Sequence, residues 1–231
     1  MKNNLTEKDI KTINKWAEKY GIKELKINDE KNFNLKQLCI FNTNIKYITA
    51  AIFKITNLKS LSIYCNNLNR LPKEIGDLIK LKELDIISRC LIELPKEIGN
   101  LSNIKKLSIY CENLKQLPKE IGNLINLKEL SIYCKNLKSL TNEIEKLTNL
   151  ESIHIECENL KQLPKEIHNL IKLKRFDIDC PNSENFPDGI AKLINLETIY
   201  IRNCNGKLNL QYLIGGIVKL NNLKSLYLDI E

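Results

Sequence analysis

Apolar residues along most of this chain recur in one pattern with a period of 23 residues. When each unit is numbered from its first apolar residue, positions 1, 4, 6, 11, 14, 18 and 21 are apolar nearly throughout. A fixed repeat of this length predicts a stack of similar coils whose apolar sides form one continuous core. The units begin at Leu35, Leu58, Leu81, Ile104, Leu127, Leu150, Leu173 and Leu196.

Within each unit, the spacing of the apolar residues changes along the chain. Around positions 3 to 8 apolar and polar residues alternate, which predicts a strand. After position 14, a proline and the run Lys-Glu-Ile-Gly-Asn-Leu predict a short helix or 3₁₀ turn, with the proline at its first residue. Stacking such coils gives an α/β solenoid with a concave parallel sheet inside and short helices outside. The prolines of this column are Pro72, Pro95, Pro118, Pro164 and Pro187.

The N-terminal end departs from the repeat. Residues 5–21 predict a capping helix, because Thr6 can cap its first turn and Gly21 can end it. Trp16 lies on the apolar face of this helix, and we expect it to belong to the core of the cap rather than to a binding site. Residues 22–34 are predicted to contain a short first strand.

The C-terminal end also departs from the repeat. The unit that begins at Leu196 is longer than the others, because the next start is Leu223. We therefore predict a single domain over 1–231, with eight repeats over 35–222, a closing helix late in the last of them, and a terminal strand over 223–231. An uncapped sheet edge over apolar residues favours pairing. Two explanations stay open: self-association through this edge, or a natural chain that continues.

The most regular stretches are similar to a known family. Leu-Pro-Lys-Glu-Ile-Gly-Asn-Leu occurs at 94–101 and 117–124, and the same run with Asp in place of Asn occurs at 71–78. These stretches closely resemble leucine-rich repeat (LRR) proteins, in particular the Ras-binding scaffold subclass and many bacterial cytoplasmic members. The resemblance covers roughly residues 22–231 and implies a curved horseshoe, but LRR proteins share a shape and not an activity. By resemblance alone, a small GTPase or another signalling protein is one plausible partner.

One column departs from the usual LRR unit, which has an inward asparagine at position 9. Here position 9 carries arginine, glutamate, lysine and proline as well, and no core would accept that set. Strand alternation turns positions 4, 6 and 8 inward, so we predict that position-8 cysteines extend the core. We also predict that position-10 asparagines satisfy the turns. These columns are Cys65, Cys111, Cys134, Cys157 and Cys180, and Asn44, Asn67, Asn113, Asn136, Asn159, Asn182 and Asn205.

The sequence does not predict catalysis, a cofactor or a metal. A straight column of cysteines on successive strands does not converge on one point as metal ligands must, and there is no Cys-x-x-Cys pair. His154 and Glu156 share a strand face and could do acid–base chemistry, but no nucleophile or phosphate-binding glycine loop accompanies them. We therefore expect a non-enzymatic protein.

The outward positions 3, 5 and 7 predict a binding surface for a protein or peptide on the concave face. Position 7 is aromatic or apolar in the first five units and mostly charged afterwards. Exposed aromatic rows are typical of interface anchors, although the β propensity of aromatic residues would also place them there. The predicted binding residues are Phe41, Tyr64, Ile87, Tyr110, Tyr133, His154, Glu156, Asp177, Asp179, Tyr200 and Arg202.

Charge narrows the class of partner only slightly. The net charge of +8 permits acidic partners, but the concave face carries an acidic patch and the lysines lie largely at flanking and outer positions, which disfavours nucleic acid. No signal-peptide run or membrane span is present, so we expect a cytoplasmic protein. A role as a signalling scaffold is implied by the resemblance to Ras-binding LRR proteins alone. Two alternatives stay open: the recognition subunit of a larger enzyme complex, for example in ubiquitin transfer, and a nucleic-acid-associated protein using its basic outer surface.

Overall fold

The computed structural model describes residues 5–27, 34–183, 189–202 and 210–229. Nine parallel strands form one open sheet in chain order, and the α/β solenoid predicted from the repeat is confirmed. Neighbouring strands pair at an offset of one repeat, so that Phe41 lies beside Tyr64. The strands are β1 Gln37–Phe41, β2 Ser60–Tyr64, β3 Glu83–Ser88, β4 Lys106–Cys111, β5 Glu129–Tyr133, β6 Ser152–Glu156, β7 Arg175–Asp179, β8 Thr198–Arg202 and β9 Ser225–Leu228.

Short 3₁₀ turns on the side opposite the sheet return the chain from strand to strand. Proline precedes four of the seven described turns, at Pro72, Pro95, Pro118 and Pro164, instead of forming their first residue. Pro95, for example, has φ −65° and ψ 142° before Lys96. Thr49, Thr141 and Gly189 precede the other three turns, and Pro187 lies outside the described residues. The prediction was off by one residue because the φ that proline requires fits the extended residue leading into the turn equally well. The described turns are Ala50–Lys54, Lys73–Asp77, Lys96–Asn100, Lys119–Asn123, Asn142–Lys146, Lys165–Asn169 and Ile190–Lys192.

The predicted capping helix is present as α1, Glu7–Tyr20. The Thr6 hydroxyl accepts a hydrogen bond from the backbone N–H of Asp9, whose carboxylate accepts one from the backbone N–H of Thr6. Gly21 ends the helix at φ 70°, a left-handed conformation that glycine adopts without strain. Trp16 is 4% exposed and belongs to the core, as predicted. Within the described ranges, no helix is long and apolar enough to cross a lipid bilayer.

The strand predicted within 22–34 is wrong where the structure describes that segment. Lys23–Leu25 forms a 3₁₀ turn, and residues 28–33 lie outside the described part of the chain. The helix explains the difference, because the Asn14 side chain accepts from the backbone N–H of Ile27 at 2.7 Å and donates to its carbonyl at 2.9 Å. Both backbone groups that a strand would pair at Ile27 are therefore occupied.

One continuous core fills the space between the sheet and the turns. Inward residues such as Leu61 and Ile63 are fully buried. Ser88 occupies position 8 of the third unit, where its hydroxyl donates to the carbonyl of Leu68 at 2.9 Å and accepts from the N–H of Leu91. The prediction that cysteines extend the core is confirmed for Cys65, Cys111, Cys134, Cys157 and Cys180, all 0% exposed.

Two columns of asparagine side chains form hydrogen bonds between successive coils. At position 10, the side chains of Asn113, Asn159 and Asn182 donate to position-9 carbonyls of the preceding coil at 2.7, 3.0 and 2.8 Å, which confirms the predicted ladder at these three positions. Asn136 donates instead to the side-chain oxygen of Asn113 at 2.9 Å. Asn44 and Asn67 make no such bond within the described ranges, and Asn205 lies outside them. A second column precedes the strands and was not predicted, although asparagine recurs there in the sequence. Its side chains also donate to carbonyls of the preceding coil, from Asn103, Asn126, Asn149, Asn195 and Asn222.

The C-terminal end of the described sheet exposes apolar side chains. The predicted closing helix is present as α2, Leu210–Ile217, while residues 203–209 and 230–231 lie outside the described ranges. Leu226 on β9 is 46% exposed, whereas Ile199 at the same position of β8 is 0% exposed. Self-association through this edge stays a prediction.

Gly99 provides a test of how closely successive turns pack. A Cβ atom there would lie 2.4 Å from the carbonyl oxygen and 2.8 Å from the Cβ of Glu120 in the next turn. The contact involves backbone, so Gly99→Ala should lower the free energy of unfolding by about 1–3 kcal/mol, measured by denaturant titration. Ser102→Ala, at an exposed site in the following loop, is the control and should change it little. Equal stabilities would contradict the close approach.

Candidate functional site

The predicted binding residues all lie within the described strands, on the face of the sheet opposite the core. Alternation along each strand turns positions 5 and 7 to this face, as the burial pattern of β2 shows. Phe41 is 73% exposed, Glu156 is also exposed and Asp177 is buried, whereas the remaining predicted residues are half-buried. Their placement on the concave face agrees with the prediction, and their role in binding stays a prediction.

Three rings form an aromatic stack in the middle of the concave face. The rings of Tyr110 and Tyr133 are 4.0 Å apart between centroids and 8° from parallel, and His154 lies 4.6 Å beyond Tyr133. We call these three residues the aromatic stack. Burial, followed by the hydrogen bond with Tyr110, raises the pKa of the Tyr133 hydroxyl. Nearer the N-terminus, Phe41 and Tyr64 make a separate edge-to-face contact with centroids 6.4 Å apart.

A buried carboxylate organises the charged half of the face. The Asp177 side chain is only 6% exposed, and its Oδ1 lies 2.9 Å from Nη2 of Arg202. Its Oδ2 lies 3.0 Å from Nδ1 of His154 and 3.4 Å from Nη2 of Arg175. The Arg175 guanidinium also covers the ring of Tyr200 at 4.9 Å. Opposite charges and hydrogen-bond donors therefore compensate the cost of burying this carboxylate.

The histidine at this site pairs with a different carboxylate from the one that the sequence suggested. His154 Nε2 lies 3.9 Å from Glu156 on the same strand, too far for a hydrogen bond, and it is buried without a hydrogen-bond partner among the described residues. Nδ1 instead meets Asp177 on the next strand, which parallel register places beside His154. The ring is thus held between Asp177 and the aromatic stack.

A groove of about 520 Å³ runs across the strand ends, and two residues of the aromatic stack, Tyr110 and Tyr133, line it. Its rim consists of position-9 residues that the sequence did not suggest as a site. Arg89 pairs with Glu112 at 3.0 Å, and Lys135 pairs with Glu158 at 3.0 Å. Their alternating signs in successive units could have revealed these pairs, because parallel register sets them side by side. The floor consists of Ile87, Tyr110, Tyr133, Glu156 and Asp179.

The buried cysteines behind the sheet lack the properties of a redox or metal site. Burial raises the pKa of Cys65 to about 11 and the pKa of Cys111 and Cys134 to about 12. A thiol with such a pKa is protonated at neutral pH, and the nucleophile and metal ligand is the thiolate. In the described part of the chain, no three His, Cys, Asp or Glu side chains are grouped to hold a metal ion.

Alkylation should distinguish the buried thiols from the exposed ones. In the folded protein at pH 8, iodoacetamide should modify the exposed Cys39 rapidly and leave Cys111 and Cys134 unmodified, because these two are buried and protonated. Peptide mass spectrometry would measure each site, and denatured protein, in which every thiol reacts, is the control. Rapid labelling of Cys134 in folded protein would contradict this account.

Replacing Asp177 should destabilise the whole face. Asp177→Asn leaves Arg202 and Arg175 beside a neutral, buried partner, which should lower the free energy of unfolding by about 2–4 kcal/mol. The matched control is Asp85→Asn, at the same position of β3, where the half-buried carboxylate accepts a 3.3 Å hydrogen bond from Ser62 and has no ion pair within the described residues. Urea denaturation of both variants measures the difference, and similar losses would count against an organising role for Asp177.

Comparison with known proteins agrees with the fold described above. The model of the leucine-rich repeat region family matches residues 17–139 and 116–231. A search of curated proteins found no match.

Solved structures with a similar fold include an LRR protein of Leptospira interrogans, at 27% identity and TM-score 0.67, with 85% of this chain and 56% of that chain covered. The LRR domain of the type III effector XopL matches at 26% identity and TM-score 0.70, over 84% of this chain and 69% of that chain. The Arabidopsis receptor kinase HAESA shares the fold at 16% identity and TM-score 0.72, over 98% of this chain and 42% of that chain. The chain thus spans little more than half the length of the Leptospira protein. The family match over most of the sequence, together with the parallel sheet and its repeating turns, shows that this chain belongs to the leucine-rich repeat family.

Proposed function

We propose that this protein is a non-enzymatic scaffold that holds a protein or peptide on its concave face. LRR proteins in general are protein-interaction scaffolds, and the family is typically not enzymatic. The HAESA structure, which has the same fold, contains a peptide hormone and a co-receptor. That complex illustrates that an LRR solenoid can present a surface to peptide and protein ligands.

The observation that carries this proposal is the row that four aromatic rings and Ile87 form on the outward side of β1 to β5. Phe41 is 73% exposed, and Tyr64, Tyr110 and Tyr133 are half-buried, so that part of each remains open to solvent. Rings held on a sheet lose little conformational entropy when a ligand covers them, which is why interfaces use aromatic residues as anchors. Sheet propensity alone explains why aromatic residues are tolerated at these positions, but a binding role also explains why part of their surface remains open to solvent.

The partner class follows from the neighbourhood of these rings. The aromatic row continues into the charged residues around Asp177, so a ligand that lies across the strands would meet apolar contacts first and charged ones next. Such a mixed surface suits a polypeptide better than a purely apolar or purely anionic ligand. A signalling partner in the cytoplasm, such as a small GTPase, is part of the proposal through the resemblance to Ras-binding scaffolds alone.

Removing the rings should remove the partner while the fold remains. In affinity capture from extracts of the native cell, a variant with Tyr64, Tyr110 and Tyr133 changed to Ala should lose partners that the unchanged protein retains, because these rings supply the anchors. Circular dichroism and thermal melting would establish that the variant is folded.

A matched control uses two exposed isoleucines that lie in loops before the strands. Ile125 and Ile171 are 55% and 54% exposed, and changing both to Ala removes exposed apolar area away from the concave face. This control should keep every partner. A folded tyrosine variant that also keeps every partner would refute the concave-face proposal.

A further inference from the structure

One carboxylate on the groove floor is not in contact with a lysine or arginine among the described residues, and the Arg202 guanidinium attracts it only from a distance. Glu156 is 53% exposed, and its nearest basic group is Nε2 of His154 at 3.9 Å. Within the described residues it has no ion pair with a lysine or arginine. The rim differs in this respect, because Glu112 and Glu158 each pair with a basic residue from the preceding unit.

The residues around Glu156 leave this end of the groove negative. Glu156, Asp177 and Asp179 occupy neighbouring sites on β6 and β7, and Arg175 and Arg202 are the guanidinium groups beside them. Three negative charges against two positive charges leave one formal negative charge when His154 is neutral. Both arginines contact the buried Asp177, and Arg202 also attracts Asp179 and Glu156. Glu156 is the exposed carboxylate of this group, and within the described residues neither arginine makes an ion pair with it, so it is the carboxylate that a ligand cation can reach.

The other end of the same groove is apolar. Ile87 on β3 is half-buried on the floor, and Tyr110 on β4 and Tyr133 on β5 lie between it and Glu156. A polypeptide that crosses the strands along this floor would therefore contact the apolar side chain of Ile87 first, then the tyrosine rings, and then the carboxylate of Glu156. A lysine or arginine has a hydrocarbon stem for the ring edges and a cation for the carboxylate, so it fits both of the last two features.

We propose, building on the proposed function, that the groove binds an extended segment of a partner protein through a lysine or arginine at Glu156 and an apolar residue at Ile87. Three strand spacings of about 4.8 Å separate the two sites, or about 14 Å in all, which about four residues of extended chain span. Residues i and i+4 of an extended chain point to the same side, so both anchors can face the floor at once. The recognised feature is an apolar residue and a basic residue four positions apart.

Selection from a library of random peptides displayed on phage tests this spacing directly. The unchanged protein should enrich peptides with lysine or arginine four positions from an apolar residue. Glu156→Lys should lose that preference and enrich aspartate or glutamate at the basic position, because the charge at the site is reversed. Glu93→Lys introduces the same charge at an exposed site outside the groove and should keep the original preference.

Affinity measurements on a synthetic peptide of the enriched sequence provide the second test. In fluorescence anisotropy titrations, Glu156→Gln should weaken binding about fivefold to tenfold, as expected for loss of one charge-assisted contact. Replacing the basic residue of the peptide with norleucine should weaken binding to the unchanged protein by a similar factor. The two changes combined should cost little more than either alone, because they remove the same contact.

The outcomes distinguish this inference from the proposed function. Enriched peptides that lack a basic residue but lose binding in the Tyr64, Tyr110 and Tyr133 variant would overturn the inference and support the concave face as the binding surface. Peptides that bind the tyrosine variant and Glu156→Lys as tightly as the unchanged protein would overturn both. Failure to enrich any peptide would overturn recognition of an extended segment, while the capture experiment would still decide the proposed function.

Discussion

Parallel pairing of each strand with the strand one repeat later is the constraint on which the structure depends. Because the offset is constant from β1 to β8, every position of the unit becomes a column of side chains at the spacing of a sheet. A column then has one environment along most of its length. Apolar columns form the core, asparagine columns bond the loops, and position 7 forms the floor of the groove. The environment of a side chain is therefore set mainly by the column to which it belongs.

This constraint explains how much of the fold the sequence could predict. The period alone specifies the strand register and the inward columns, so the burial of Cys134 follows from counting residues. The strand that was wrongly predicted within 22–34 lies where the period does not apply. Ile27 lies before the first unit, and a side chain on the capping helix, Asn14, occupies its backbone groups. Tertiary contacts of that kind leave no periodic signal in the sequence.

The sequence could predict which positions face the candidate site, but not the contacts that their side chains make there. Counting placed His154 and Glu156 on the concave face, but the direction of each side chain depends on its neighbours across the strands. His154 turns toward Asp177 and stacks on Tyr133, which leaves Glu156 at the surface of the groove. Contacts between side chains on neighbouring strands determine whether a carboxylate is paired within the protein or remains accessible to a ligand. The repeat pattern does not specify these contacts.

The two asparagine columns have a mechanical consequence for the horseshoe. Side chains such as Asn113 and Asn126 bond successive coils to each other at both ends of the strands, in addition to the backbone bonds between strands. Separating neighbouring coils would stretch these side-chain bonds together with the backbone bonds of the sheet. The solenoid should therefore respond to a pull on its ends as a stiff spring, with the load shared along its length, rather than as segments joined by a hinge.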